Sequence, residues 1–303
     1  MPTTERLELN ASTRAAYAAL MTSLRIDRSA AASLLEAHAQ LAAWIAVRRG
    51  ERANALLVGV CGAPGTGKTT LCRGLEVLLS GACGFRVVGL SLDDLYLTRA
   101  ERDALAETVH PLLGTRGVPG THDVDLGRRT LAKLGELGAG EGAELPRFDK
   151  ARDDRSGTWK QVVGPVDVVI FEGWCVGARP GPKDRLSAPI NELERVEDPD
   201  GRWRRHVDTA LRGPYQALFD ALDALILLRA PDWDCVRTWR KLQEAKLRDA
   251  VGQGPGVMAP AEIDRFVMLF ERVTRDVLAE MPGRADAVLD LDRAHGVVRS
   301  RIK

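Results

Sequence analysis

The sequence predicts an α/β fold: a parallel sheet covered by helices, built around a phosphate-binding loop and preceded by a helical extension. Two observations carry this. Residues Gly62-Ala63-Pro64-Gly65-Thr66-Gly67-Lys68-Thr69 fit Gly-x-x-x-x-Gly-Lys-Ser/Thr. From residue 55 onward, short apolar runs alternate with helical stretches, the pattern of a sheet buried on both faces. The boundaries read as an extension over residues 1–52 and a main domain over 53–303.

The extension is alanine-rich. Leu34, Leu35, His38, Leu41, Ala42 and Ile45 recur at helical spacing on one face. His38 on that face reads as a packed core histidine, and the segment as helices without chemistry of their own.

The run from Ala55 to Cys61 is a first strand and enters the glycine loop. The run from Leu71 to Leu79 leaves it with helical spacing. Phosphate oxygens must approach the main chain closely, and glycine has no Cβ to block them. The loop N–H groups from Gly62 to Thr70 make an anion nest, and the helix adds its positive end. Lys68 can reach β and γ phosphates, and the Thr69 hydroxyl can ligate Mg²⁺. A plain strand-to-helix turn would need no Lys-Thr pair.

The run 85–92 is a second strand and ends in Asp93-Asp94; the run 166–171 is a third and ends in Glu172-Gly173. The runs 224–228 and 287–291 are a fourth and fifth. Ligands in such sheets lie beyond the carboxyl ends of the strands. Glu172 there can hold Mg²⁺ opposite Thr69. One of the two aspartates can accept a proton from an attacking hydroxyl. Adjacent residues on an extended chain point to opposite sides, so only one faces the ligand, and Asp94 suits a structural role such as a helix cap.

Arg237, Arg240, Lys241 and Arg248 share a helical face, with Lys246 nearby. Such a helix can close over phosphates and neutralise transition-state charge, or be a solvated helix with pairs such as Arg240–Glu244. Arg147 and Lys150 precede the third strand and suit a small anion, or a charged surface. Residues 110–127 and 174–205 are rich in Gly, Pro or charge and read as irregular, the first as part of a substrate pocket.

Composition excludes several classes. The 303 residues carry a formal net charge of +1, so no global field favours nucleic acid or an anionic membrane. The five cysteines form no Cys-x-x-Cys, which points to reduced thiols in the cytoplasm without structural zinc. No export signal and no apolar run of membrane-spanning length is read. The Asn-Lys-x-Asp motif of guanine-nucleotide switches is missing. A non-catalytic nucleotide-binding regulator would not need base, metal-ligand and basic-helix candidates together. Composition does not specify the oligomeric state.

In order, Gly62–Thr69, Ser91-Leu92-Asp93-Asp94-Leu95-Tyr96, Pro146-Arg147-Phe148-Asp149 and Ile170-Phe171-Glu172-Gly173 resemble the phosphoribulokinase, uridine kinase and pantothenate kinase group of P-loop kinases. The segments His110–Asp123 and Val169–Trp174 resemble the D-glycerate 3-kinase family within it. The resemblance covers about residues 55–295 and implies a nucleoside-kinase-like P-loop NTPase core. It implies transfer of the γ-phosphate of ATP, with Mg²⁺, to a hydroxyl of a small hydroxy acid, D-glycerate, giving 3-phosphoglycerate. Pantothenate or a nucleoside is the alternative acceptor. By position it implies Asp93 as general base and Glu172 as the Mg²⁺-associated acid. It places Arg147 on the substrate, Tyr96, Thr121, His122 and Asp123 around the acceptor, and the helix near 233–250 as a lid. Lys68 and Arg240 then serve the transferring phosphate. An anionic acceptor would need cations and hydrogen-bond partners, which Arg116, Arg147, Lys150 and His122 can offer. Aromatic content of 5% argues weakly against a base-stacking acceptor.

Overall fold

Each of the five apolar runs becomes a parallel strand, and a strand not foreseen closes one edge. The computed structural model describes residues 7–251 and 260–303. The strands of the main sheet are β1 (Leu56–Gly62), β2 (Val87–Ser91), β7 (Val168–Gly173), β8 (Ala224–Arg229), β9 (Ala287–Leu291) and β10 (Val297–Ile302). Their order is β10-β9-β8-β1-β7-β2, with β10 antiparallel to β9. Four short strands lie outside it: β3 (Gly142–Leu145) pairs with β6 (Lys160–Val163), and β4 (Phe148–Asp149) with β5 (Asp154–Arg155).

Burial on both faces explains the central strands. Every residue of β1 is buried, which suits an unbroken apolar run in a covered parallel sheet. Register then positions chemistry. Val60 of β1 lies beside Glu172 of β7, and Glu172 beside Ser91 of β2. The three strands therefore deliver the phosphate loop, Glu172 and the Ser91–Asp94 segment to the carboxyl end of the sheet.

The extension forms α1 (Ala11–Ser23) and α2 (Arg28–Gly50). The side chains of Asn10 and Asp27 cap them by accepting from Thr13 N at 2.8 Å and Ala30 N at 2.9 Å. Both pack on α3 (Lys68–Cys83), the helix that leaves the phosphate loop. Gly74 of α3 makes this possible: a Cβ there would lie 2.5 Å from His38 Nδ1 and 3.1 Å from Tyr17 Cε2. His38 is buried, as its apolar face predicts, and hydrogen-bonds Tyr17 Oη at 2.9 Å. The buried cluster runs without a break from Tyr17 and Leu41 to the sheet. By length and composition α2 could cross a membrane; here Leu41, Trp44 and Ile45 are buried, and the Trp44 indole donates to Lys303 O.

The remaining helices are α4 (Arg99–Thr108), α5 (Val124–Gly135), α6 (Glu192–Glu197), α7 (Arg202–Arg212), α8 (Pro214–Phe219), α9 (Trp233–Val251) and α10 (Pro260–Arg284). Residues 174–205 are more ordered than their Pro and charge content suggests. They include α6 and the start of α7, tied down by two buried ion pairs, Arg272–Glu194 at 2.5 Å and Arg204–Asp198 at 3.0 Å. Some of the segment's charges are thus interior struts.

Candidate active site

A cavity of about 620 Å³ opens at the carboxyl ends of β1, β2 and β7. Pro64, Gly65, Gly67, Lys68, Thr69 and Thr70 form its floor. Gly62, Ala63 and Thr66 belong to the same loop but are buried behind that surface, where Thr66 N and Oγ1 both donate to Ala63 O. Gly65 and Gly67 have φ of 86° and 88°, which side-chain-bearing residues rarely adopt. Lys68 Nζ folds back over the loop to Ala63 O at 3.3 Å. The floor thus combines backbone N–H groups, a helix N-terminus and one ammonium, an arrangement suited to phosphates.

Asp93 and Glu172 stand on the next wall. Asp93 accepts from Tyr96 Oη at 2.8 Å on Oδ1 and from Lys150 Nζ at 2.6 Å on Oδ2. Burial raises the pKa of this carboxyl, but the Lys150 charge and the two hydrogen bonds outweigh it, and the net shift is downward. Asp93 therefore carries its charge at neutral pH. For Glu172 burial dominates and raises the pKa, against the lowering effect of Lys68 and of a hydrogen bond from Ser91. Among the described residues no group of three or more His, Cys, Asp and Glu could hold a metal. Mg²⁺ needs no such group: it is usually held by one or two protein oxygens with phosphate and water completing the shell. Thr69 and Glu172, which line the same cavity, fit that donor set.

Of the expected acceptor residues, Tyr96, Arg116 and Lys150 line the cavity. Arg116 is ion-paired with Asp153 and lies over the Phe148 ring at 5.5 Å. The other four do not reach the cavity wall. Thr121 is fully buried and holds a turn, accepting from Gly117 N and donating to Val118 O. His122 stacks behind Tyr96 at 4.6 Å and meets Tyr215 Oη at 2.5 Å. Burial lowers its pKa to about 3, so the ring is neutral. Asp123 caps α5 by accepting from Leu126 N and pairs with Arg155. Arg147 pairs with Asp94 at 2.8 Å, away from the cavity. Of these four, His122 backs the wall through its stack on Tyr96.

Asp94 also accepts from Phe148 N at 3.3 Å. It is structural, as its neighbour's position predicts, but it anchors a distant segment instead of capping a helix; Ser91 is the cap there. Among the described residues of the basic face of α9, Arg240 alone lines the cavity, and it pairs with the buried Glu244 at 2.7 Å. Arg237 and Lys241 turn to Asp264 on α10. The Lys246 side chain and residues 252–259 fall outside the described residues.

Several cavity residues escaped the sequence reading. Trp174, Trp239, Phe266 and Phe270 line it beside Tyr96, so the low overall aromatic content says nothing against stacking here. His295, from the turn between β9 and β10, stacks on Trp239 at 4.2 Å. Its Nε2 lies 3.0 Å from Gly65 O, and because a carbonyl only accepts, the ring proton sits on Nε2. Leu24, at the end of α1, also lines the cavity, so the extension does reach the site. Trp239 adjoins Arg240 in sequence and could have been suspected; nothing local marks Leu24 or His295.

This fold and this site define a P-loop kinase. No family model matches the chain. It is 31% identical over 255 residues to the chloroplastic D-glycerate 3-kinase of Arabidopsis thaliana, a match covering 80% of this chain and 52% of that protein. The chain therefore spans about half the length of that relative. It is 33% identical over 225 residues to an uncharacterized kinase of Schizosaccharomyces pombe, covering 70% and 76% of the two chains. A solved D-glycerate 3-kinase from Cryptococcus neoformans superposes with a TM-score of 0.72 at 27% identity, covering 86% of this chain and 97% of that one. The chain belongs to the kinase family that includes D-glycerate 3-kinase.

Proposed function

We propose that the protein transfers the γ-phosphate of ATP to a terminal hydroxyl of D-glycerate, giving 3-phosphoglycerate and ADP. One observation supports this reading: the phosphate-binding loop, the carboxylate of Asp93 and two cations, Lys150 and Arg116, line a single cavity, with Lys150 bonded to Asp93. The floor and Lys68 hold the β and γ phosphates. Mg²⁺, held by Thr69 and Glu172, would neutralise charge building on those phosphates. Asp93 takes the hydroxyl proton as the oxygen attacks phosphorus. Lys150 and Arg116 receive the acceptor carboxylate, a role expected of Arg147 from the sequence. Arg240, on α9, faces the same space and can stabilise transferring charge when its bond to Glu244 loosens.

The test is ADP formation with ATP and Mg²⁺ across D-glycerate, other small hydroxy acids, pantothenate and uridine, with product identification. D-Glycerate should give the highest kcat/KM. Turnover of uridine or pantothenate with none of D-glycerate would move the protein to a neighbouring branch. No acceptor-dependent turnover at all would favour a non-catalytic nucleotide-binding role.

A further inference from the structure

The two oxygens of Asp93 are held by partners of different mobility. Oδ1 accepts from Tyr96, whose ring is buried, stacked on His122 and met edge-on by Phe148. Oδ2 accepts from Lys150, whose side chain is 60% exposed. Lys150 sits on the tip between β4 and β5. The base of that hairpin is bolted down. Asp94 receives Arg147 and Phe148 N, Arg155 donates to Tyr96 O and Asp123, and Arg102 donates to Asp153 O at 2.7 Å. A rigid base with one long, exposed lysine at its tip presents an ammonium that can swing while the backbone stays still. Arg116 has no such freedom, because Asp153 and the Phe148 face hold it.

A proton acceptor works best with an oxygen that no cation occupies. Tyr96 cannot leave without opening a buried stack; Lys150 can. The chemical class that would draw an ammonium from a carboxylate is another carboxylate. We propose that Lys150 is a transfer switch: it masks Asp93 Oδ2 until the carboxylate of the acceptor takes its ammonium, which frees Oδ2 to receive the hydroxyl proton. The inference rests on the acceptor being a hydroxy acid, as in the function proposed above. In the step, the acceptor oxygen bonds to the γ-phosphorus and its proton goes to Asp93 Oδ2. The bond from phosphorus to the bridging oxygen breaks, leaving its electron pair on ADP. Selection for anionic acceptors thus acts on the base itself as well as on binding. It also guards ATP against water, since without an anion the base stays masked.

The experiment uses the full chain with ATP and Mg²⁺. D-Lactate is the probe, because it carries the carboxylate and the 2-hydroxyl of D-glycerate but no terminal hydroxyl to phosphorylate. It should stimulate ATP hydrolysis by the native protein roughly fivefold or more. Lys150→Met should raise basal hydrolysis by a similar factor and abolish the response to D-lactate. Its kcat/KM for D-glycerate should fall by about 10- to 100-fold, the worth of one charge-assisted hydrogen bond. Lys150→Arg, which keeps the charge, should keep the D-lactate response and serves as the folding control. A purely structural lysine would not raise basal hydrolysis. If basal hydrolysis in Lys150→Met stays at or below the native level, or D-lactate fails to stimulate the native protein, the switch is overturned. D-Glycerate turnover with either of those failures leaves the proposed function standing and removes only the switch. Absence of D-glycerate turnover removes both.

Discussion

Gly65→Ala should damage the site through α9, and the size of the effect follows from geometry. Gly65 has φ of 86°, and a side chain in that left-handed region costs roughly 1–2 kcal/mol. The new Cβ would lie 2.7 Å from Trp239 Cβ and 3.3 Å from Trp239 C. Carbon atoms prefer about 3.5–4.0 Å, so α9 or the loop must retreat by about 1 Å. Rotating the indole would leave Trp239 Cβ in place, and the residue is held there because it is buried, donates to Arg293 O at 3.0 Å and stacks on His295. Overpacking of this kind costs about 1–3 kcal/mol, for a total near 2–5 kcal/mol. The assay is a double-mutant cycle by urea unfolding on native protein, Gly65→Ala, Trp239→Gly and the pair. Trp239→Gly removes the Cβ that the new methyl meets but leaves the backbone strain at residue 65. The pair should therefore be more stable than the sum of the single effects predicts, by about 1–3 kcal/mol. Effects additive to within about 0.5 kcal/mol would refute the contact between loop and helix as the cause.

Asp93→Asn keeps the shape of the base but not its proton affinity; kcat should fall about 100-fold or more with nucleotide affinity retained, measured by steady-state kinetics and calorimetric titration. Asp94→Asn should spare the chemical step and instead lower stability by about 1 kcal/mol, because it weakens the tether to Arg147 and Phe148 N, and its urea midpoint would show this. Arg147→Lys should change the KM for D-glycerate by less than about threefold, since Arg147 faces Asp94 and not the cavity; a loss worth 1–3 kcal/mol would return it to the acceptor site. Acid should destabilise the fold through His38, whose pKa burial lowers from 6.5 to about 3. Between those values the unfolded chain binds the proton and the native one does not, so stability is lost as pH falls below 6.5, by about 1 kcal/mol per pH unit. Urea midpoints at pH 7, 6 and 5 should show a shallower decline in His38→Gln.

Local pattern was enough wherever the chemistry lies on consecutive residues. The phosphate loop needs glycines, a lysine and a threonine within eight positions, and its flanking strand and helix are adjacent in sequence. Asp93 and Glu172 were legible because each ends an apolar run. Strand β10 was missed because Val297–Ile302 is half polar and lies at a sheet edge, where burial imposes no apolar pattern. The segment 174–205 looked irregular because Arg204, Asp198, Arg272 and Glu194 hide their charges in partners as many as 78 residues away.

By itself, then, the sequence determined the α/β class, the nucleotide loop and the carboxylates that end β2 and β7, since each depends on short-range periodicity. Only the tertiary structure decided which cations meet those carboxylates. Arg147 and Lys150 are three residues apart and read alike, yet one pairs with Asp94 and the other with Asp93. The fold also gathered Trp239, His295 and Leu24 around the phosphate loop from α9, the last hairpin and the extension. The physical reason is that a side chain's partner is set by where the backbone carries it. For Lys150 that is a hairpin held by arginines from α4 and β5, contacts that no spacing along the chain encodes.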